Sequence, residues 1–155
     1  MKQQAVSVVL IRRFVFIVLL GLQSLSAMAS VNACPEAAQE YWKAFRISVL
    51  RGNLTAIINA TRFPFVISGT LDESKKKHID RKEFGRFFPA LLKADPGLSP
   101  TPTTMKSLVK TTTRLPPLFC NSYGNQFRVG AWVFELTSEG WRFVEGFVDE
   151  GFVDD

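Results

Sequence analysis

Histidine is almost missing from this chain: His78 is the only one, and Cys34 and Cys120 are the only cysteines. That inventory excludes zinc-finger and iron–sulfur ligand sets, which need several Cys or His at close spacing. A catalytic thiol would need a basic partner, and a single His cannot be assigned that task. Glycine-rich phosphate loops, metal-ligand spacings and nucleophile elbows are lacking too. No metal or cofactor is expected. No acidic residue precedes Glu36, and charged residues make up only 21% of 155 positions against 46% apolar ones. This balance excludes wholesale disorder and a coiled coil, and the length allows one domain with at most an appendage.

What is present begins with an address. Lys2, Arg12 and Arg13 precede the apolar run 14–22, and Ala27-Met28-Ala29 supplies the small residues a signal peptidase needs. Nine apolar residues span about 14 Å as a helix, short of the ~30 Å hydrocarbon core. Residues 1–29 therefore read as a signal peptide cleaved after Ala29, with the mature protein periplasmic or secreted and not stably inserted in the membrane. An uncleaved anchor over 6–22, or lipoprotein processing at Cys34, are the alternatives.

Without the first 29 residues the chain holds 16 basic and 14 acidic side chains. Residues 30–128 carry 15 basic against 7 acidic, and residues 129–155 carry one against seven. This polarity excludes a nucleic-acid binder, which needs a dominant basic face, and permits a steered protein partner. An exported chain with two cysteines is expected to join Cys34 to Cys120.

Periodicity divides residues 30–149 into one α+β domain. A helix is expected over 35–51 with Tyr41, Trp42 and Phe45 on its stripe, then a short helix capped by Asn53. A strand follows over 65–70; Pro64 marks it as an edge or a strand start. Residues 71–79 read as a Lys-rich loop, and Asp80 with Glu83 as a capping box. The next helix, Phe84 to Leu92, should kink or split at Pro89. Another, capped by Thr101, carries Met105 and Val109. Strands over 126–136 and 141–148 meet in a turn at 137–140. The first is apolar on both faces, which places it centrally; Trp141, Phe143 and Phe147 should share a face. Residues 145–149, Glu-Gly-Phe-Val-Asp, recur as 150–154. The repeat reads as an acidic tail (150–155) or as a binding peptide.

Helices first, then a strand, a helix and a terminal hairpin, suggest N-terminal helices packed on a curved, mostly antiparallel, cone-like sheet. Leu50-Arg51-Gly52-Asn53-Leu54 with Ile57-Ile58, and Trp141-Arg142-Phe143, resemble the nuclear-transport-factor-two-like (SnoaL-like, cystatin-like cone) superfamily. Phe63-Pro64-Phe65 departs from it, standing where that family has a polar turn. The resemblance implies a cone pocket but selects no activity, because the superfamily spans isomerases, dehydratases, ligand-binding modules and immunity proteins.

Tyr41, Trp42 and Trp132 are candidates for a pocket rim, since buried Tyr and Trp need hydrogen-bond partners. Arg62 and Arg128 could meet a ligand carboxylate; Arg128 could equally pair with Glu145 across the hairpin. No catalytic residue is assigned. The expected function is an exported, non-enzymatic domain that binds a partner protein (an envelope factor or a toxin) or a small apolar ligand. The alternative is a small cofactor-free isomerase or lyase using Tyr41 and a buried carboxylate, Glu135 or Glu145 being the candidates. An edge strand near Phe65 and an apolar cone mouth would also suit a homodimer.

Overall fold

A computed structural model describes residues 33–71, 75–97 and 103–149. The expected signal peptide, the expected cap Thr101 and the tail at 150–155 lie outside the described residues. Within them the chain is α+β, with helices on one face of a curled, five-stranded mixed sheet.

Helix α1 (Glu36–Leu50) buries Ala38, Trp42, Phe45 and Val49, one stripe at helical spacing. Asn53 ends the turn and caps α2 (Leu54–Asn59), its side chain accepting the Ala56 N–H at 3.1 Å. Such a cap contributes about 1 kcal/mol. Helix α3 (Phe84–Lys93) buries Phe84, Phe87, Phe88 and Leu91, and it runs through Pro89 as one helix instead of splitting. Asp80 holds its entrance by accepting the N–H groups of Lys82 and Glu83. Helix α4 (Met105–Thr111) is capped by Thr104, whose hydroxyl accepts from Ser107. The cap thus lies three residues beyond the expected Thr101.

Strands β1 (Thr61–Ser68), β2 (Lys76–Ile79), β3 (Gln126–Val129), β4 (Trp132–Thr137) and β5 (Gly140–Phe147) lie in the order β2-β1-β5-β4-β3. All neighbours are antiparallel except β1 and β5. Four expectations need correction. The Lys-rich stretch is not all loop: its second half is β2, paired on β1, so β1 is no edge strand. Pro64 sits where the β1–β5 register shifts, between Thr61 and Val66, so its missing N–H interrupts no regular ladder. The apolar run 126–136 is two strands, not one. Gly130 turns the chain at φ +54°, and a Cβ there would meet Leu108 at 2.6 Å and Pro96 at 2.8 Å. The central strand is β5, which lies between β1 and β4.

The fourth correction concerns β5 itself. Val133 pairs with Glu145 and Phe134 with Phe143, leaving Val144 as an extra residue. A bulge of this kind reverses which face the following side chains take. Trp141 and Phe143 point to the helices, whereas Glu145 and Phe147 point to the outer face. Gly146 then faces inward, where Leu91 Cδ2 lies 2.5 Å from the position a Cβ would occupy.

Aromatic rings fill the space between helices and sheet. Phe45 lies 5.2 Å from Phe134, 5.3 Å from Phe143 and 6.1 Å from Trp132. Phe65 and Phe84 extend the cluster beneath α3. Cys34 and Cys120 form the expected disulfide, with Cα atoms 5.4 Å apart. It ties the start of α1 to the segment before β3. A cross-link of 86 residues is worth roughly 4–5 kcal/mol in the chain-entropy model. The bond fits a non-cytoplasmic, oxidising compartment. No helix among the described residues is long and apolar enough to cross a membrane.

Candidate functional site

The inner face holds three of the five candidate residues. Trp42 and Trp132 are fully buried, and Tyr41 packs against the core at its edge. Trp42 donates to the Thr112 carbonyl at 2.9 Å, tying α1 to the end of α4. Tyr41 stacks on Phe45 and meets Phe127 and Phe134 edge-on. Its hydroxyl donates to the Ala60 carbonyl at 2.7 Å. Burial pushes its phenol well above the ordinary value, and the Phe143 backbone and the Arg142 charge offset this only in part. A phenol so placed is a weak acid and already has an acceptor. Trp132 is the exception to satisfied polarity, because its Nε1 is buried without a hydrogen-bond partner.

Arg62 and Arg128 lie on the other side of the sheet. Arg62 meets Glu135 at 3.1 Å, and Glu135 also accepts from Gln126. Arg128 donates to the Gly130 carbonyl and lies over the Phe147 ring, 4.6 Å from its centroid. The pairing expected between Arg128 and Glu145 is not formed. Glu145 instead accepts from Ser68 at 2.7 Å and faces Lys76 at 3.7 Å. The β5 bulge explains this, since it moves Phe147 under Arg128. Both carboxylates considered as partners for Tyr41 thus sit across the sheet from it. The five candidates do not converge on one pocket. His78 is exposed on β2, and Asp80 is engaged by the N–H groups of Lys82 and Glu83 in the turn before α3. No cluster of three metal-ligating side chains occurs among the described residues.

The sequence reasoning missed a feature on the far side of the disulfide. Residues 117–125 form a short 3-10 turn (Pro117–Phe119) followed by a tight loop. Asn121 organises it: its side chain accepts from the N–H groups of Asn125 and Gln126 and donates to Asn125 Oδ1. Its backbone pairs with Gln126 and Gly124, and Cys120 bridges to Phe127. On this clamped loop Leu118 is 82% exposed and Tyr123 is 87% exposed. Leu136, 50% exposed, is joined to it by an N–H donated to the Asn125 carbonyl. Cys120, Asn121 and Gly124 were the available signal: a cross-link and turn residues around apolar side chains that fit no periodic element.

A cleft of about 430 Å³ lies elsewhere, between α3 and the end of β5. Arg86, Pro89, Ala90 and Lys93 line one wall, and Val148 and Asp149 contribute to the other.

No protein-family model, curated protein or solved structure matches this chain.

Proposed function

We propose that this chain is an exported, non-enzymatic domain that binds a partner protein through the clamped loop at 117–125. The observation that carries this reading is the exposure of Leu118 and Tyr123 on a segment held by the Cys34–Cys120 bond and the Asn121 network. Burying each against a partner would release roughly 1.5–3 kcal/mol from apolar area. The loop is already ordered, so docking forfeits little further entropy. Tyrosine also brings a large apolar face with a polar tip, the chemistry favoured at interface hot spots. The rest of the chain supports the same reading: the inner face is filled with rings, and its phenol is hydrogen-bonded to backbone.

The alternative, a small isomerase or lyase using Tyr41, has one observation in its favour. The unpaired Trp132 Nε1 could donate to a small molecule bearing an acceptor. Against it stand Glu135 and Glu145, which share a different face from Tyr41 and have partners of their own. A Tyr41→Phe exchange separates the two readings, because turnover would be lost in the second and partner binding retained in the first.

Native mass spectrometry of unreduced protein isolated from the cell envelope tests the proposal. The expected species begins at Ser30, is two hydrogens lighter than the dithiol, and carries a second protein that the Leu118→Ser/Tyr123→Ser variant lacks. A small-molecule adduct in place of a protein, or a variant that keeps its partner, would overturn it.

A further inference from the structure

Phe87 has two cations against one ring. Lys77 Nζ lies 5.2 Å from the ring centroid and Arg86 Cζ lies 5.6 Å from it. Arg86 also opens the α3 cleft, whose helical wall is Arg86, Pro89, Ala90 and Lys93. These four positions, at i, i+3, i+4 and i+7, share one face of the helix. The two cations therefore stand about 10 Å apart along the axis, with an apolar floor between them. Among the described residues neither Arg86 nor Lys93 has a carboxylate within 4 Å. Across the cleft Val148 extends the floor, and Asp149 is the only acid among the described residues that line it.

We infer that this cleft binds an extended peptide segment of the partner with the pattern acid-x-apolar-x-acid. The inference rests on the reading that the chain binds a partner protein, and it adds a second contact of defined chemistry. In an extended chain, residues i, i+2 and i+4 point to one side, and i and i+4 are about 13 Å apart. Two such carboxylates reach Arg86 and Lys93 once those long side chains splay by a few ångströms. The apolar side chain at i+2 then falls on Pro89, Ala90 and Val148. Asp149 repels an acid from the β5 side and so sets which way the peptide's charged face turns. Two charges at the ends of a linear floor fit a linear dianion better than a flat anionic surface.

The molecule already shows how such a sequence is recognised. In residues 145–149, Glu145 faces Lys76 and Ser68, and Phe147 lies under the Arg128 guanidinium. The carboxylate on a lysine is the contact that the cleft repeats at Lys93, whereas the ring of a bound peptide would rest on Pro89, Ala90 and Val148 between the two cations. The pentapeptide Glu-Gly-Phe-Val-Asp, which the sequence contains twice, has the required pattern and supplies the probe.

The test uses the oxidised full chain and a fluorescently labelled, end-blocked Glu-Gly-Phe-Val-Asp peptide, read by polarisation. Controls are the Gln/Asn version, a version with adjacent acids, and vesicles rich in phosphatidylglycerol. Saturable binding is expected that weakens at least tenfold in the Gln/Asn peptide and in the Arg86→Ala/Lys93→Ala variant. It should be unchanged by Arg51→Ala, an exposed cation elsewhere. Both variants alter exposed side chains, and circular dichroism verifies that they fold. Equal binding of the neutral peptide, no loss in the double variant, or a preference for vesicles over peptide would each overturn the inference. If the peptide fails while the envelope partner is still carried by wild type and lost with Leu118→Ser/Tyr123→Ser, only this second site is refuted. If that partner is missing as well, the binding reading itself fails.

Discussion

Replacing both Cys34 and Cys120 by Ala removes one covalent tie and leaves every strand pairing available. The bond joins the residue before Pro35, at the head of α1, to the loop before β3, 86 positions away. Loss of a native cross-link of this span costs about 2–5 kcal/mol, most of it through the larger freedom of the unfolded chain. A domain of this size has roughly 5–15 kcal/mol in total, so the loss is a large share of it. Thermal unfolding should shift downward by roughly 10–20 °C, since each kcal/mol moves a domain of about this size by several degrees. The assay is urea unfolding of oxidised wild type and of the double variant, followed by tryptophan fluorescence, with a dithiothreitol-treated wild type alongside. The folded variant should also exchange the Asn125 and Gln126 amide hydrogens faster, because Asn121 holds them within the clamped loop. A variant within 1 kcal/mol of wild type, with unchanged protection at those amides, would refute the idea that the disulfide organises this loop.

Three further expectations follow from packing and charge. Gly146→Ala should destabilise by about 1–3 kcal/mol in urea titration, because Leu91 Cδ2 lies 2.5 Å from the new methyl position and the core must give way. Asn53→Ala should cost about 1 kcal/mol by removing the cap of α2, with Asn53→Gly costing less. Tyr41 governs the alkaline limb of stability. Its pKa is raised on folding, so above its ordinary value of 10.0 the unfolded chain loses the phenol proton while the folded chain keeps it. Stability conferred by this group is complete below pH 10 and falls above it, by up to about 1.4 kcal/mol per pH unit. Chemical denaturation at pH 9, 10 and 11 should show that slope in wild type and lose this part of it in Tyr41→Phe.

The sequence made the helices legible because their apolar stripes repeat at a helical period that little else produces. Trp42 and Phe45 in α1, and Phe84 to Leu91 in α3, are buried as that period requires. The disulfide was legible from the cysteine count. Strand boundaries were not. Gly130 turns the chain between two apolar strands with no polar turn residues, since the turn packs against Leu108 and Pro96. The β5 bulge left only a faint trace, the adjacent apolar pair Phe143-Val144 that breaks the alternation before Glu145, and nothing in it announced that Phe147 would face Arg128. The candidate site suffered from the same ambiguity. Trp and Tyr mark both cores and interfaces, and Trp42 and Trp132 proved to be core. Leu118 and Tyr123 belong to no periodic run, so only their exposure in the fold marks them.

Site-specific photo-crosslinking tests the central claim most directly. A benzophenone side chain placed at position 123 in the full chain, irradiated in the intact cell envelope without reductant, should yield one discrete protein adduct. The same group at Arg51, an exposed position away from the loop, should give none. Adducts equal at both positions, or absent at position 123 while the protein remains folded and oxidised, would contradict the assignment of the clamped loop as the binding surface.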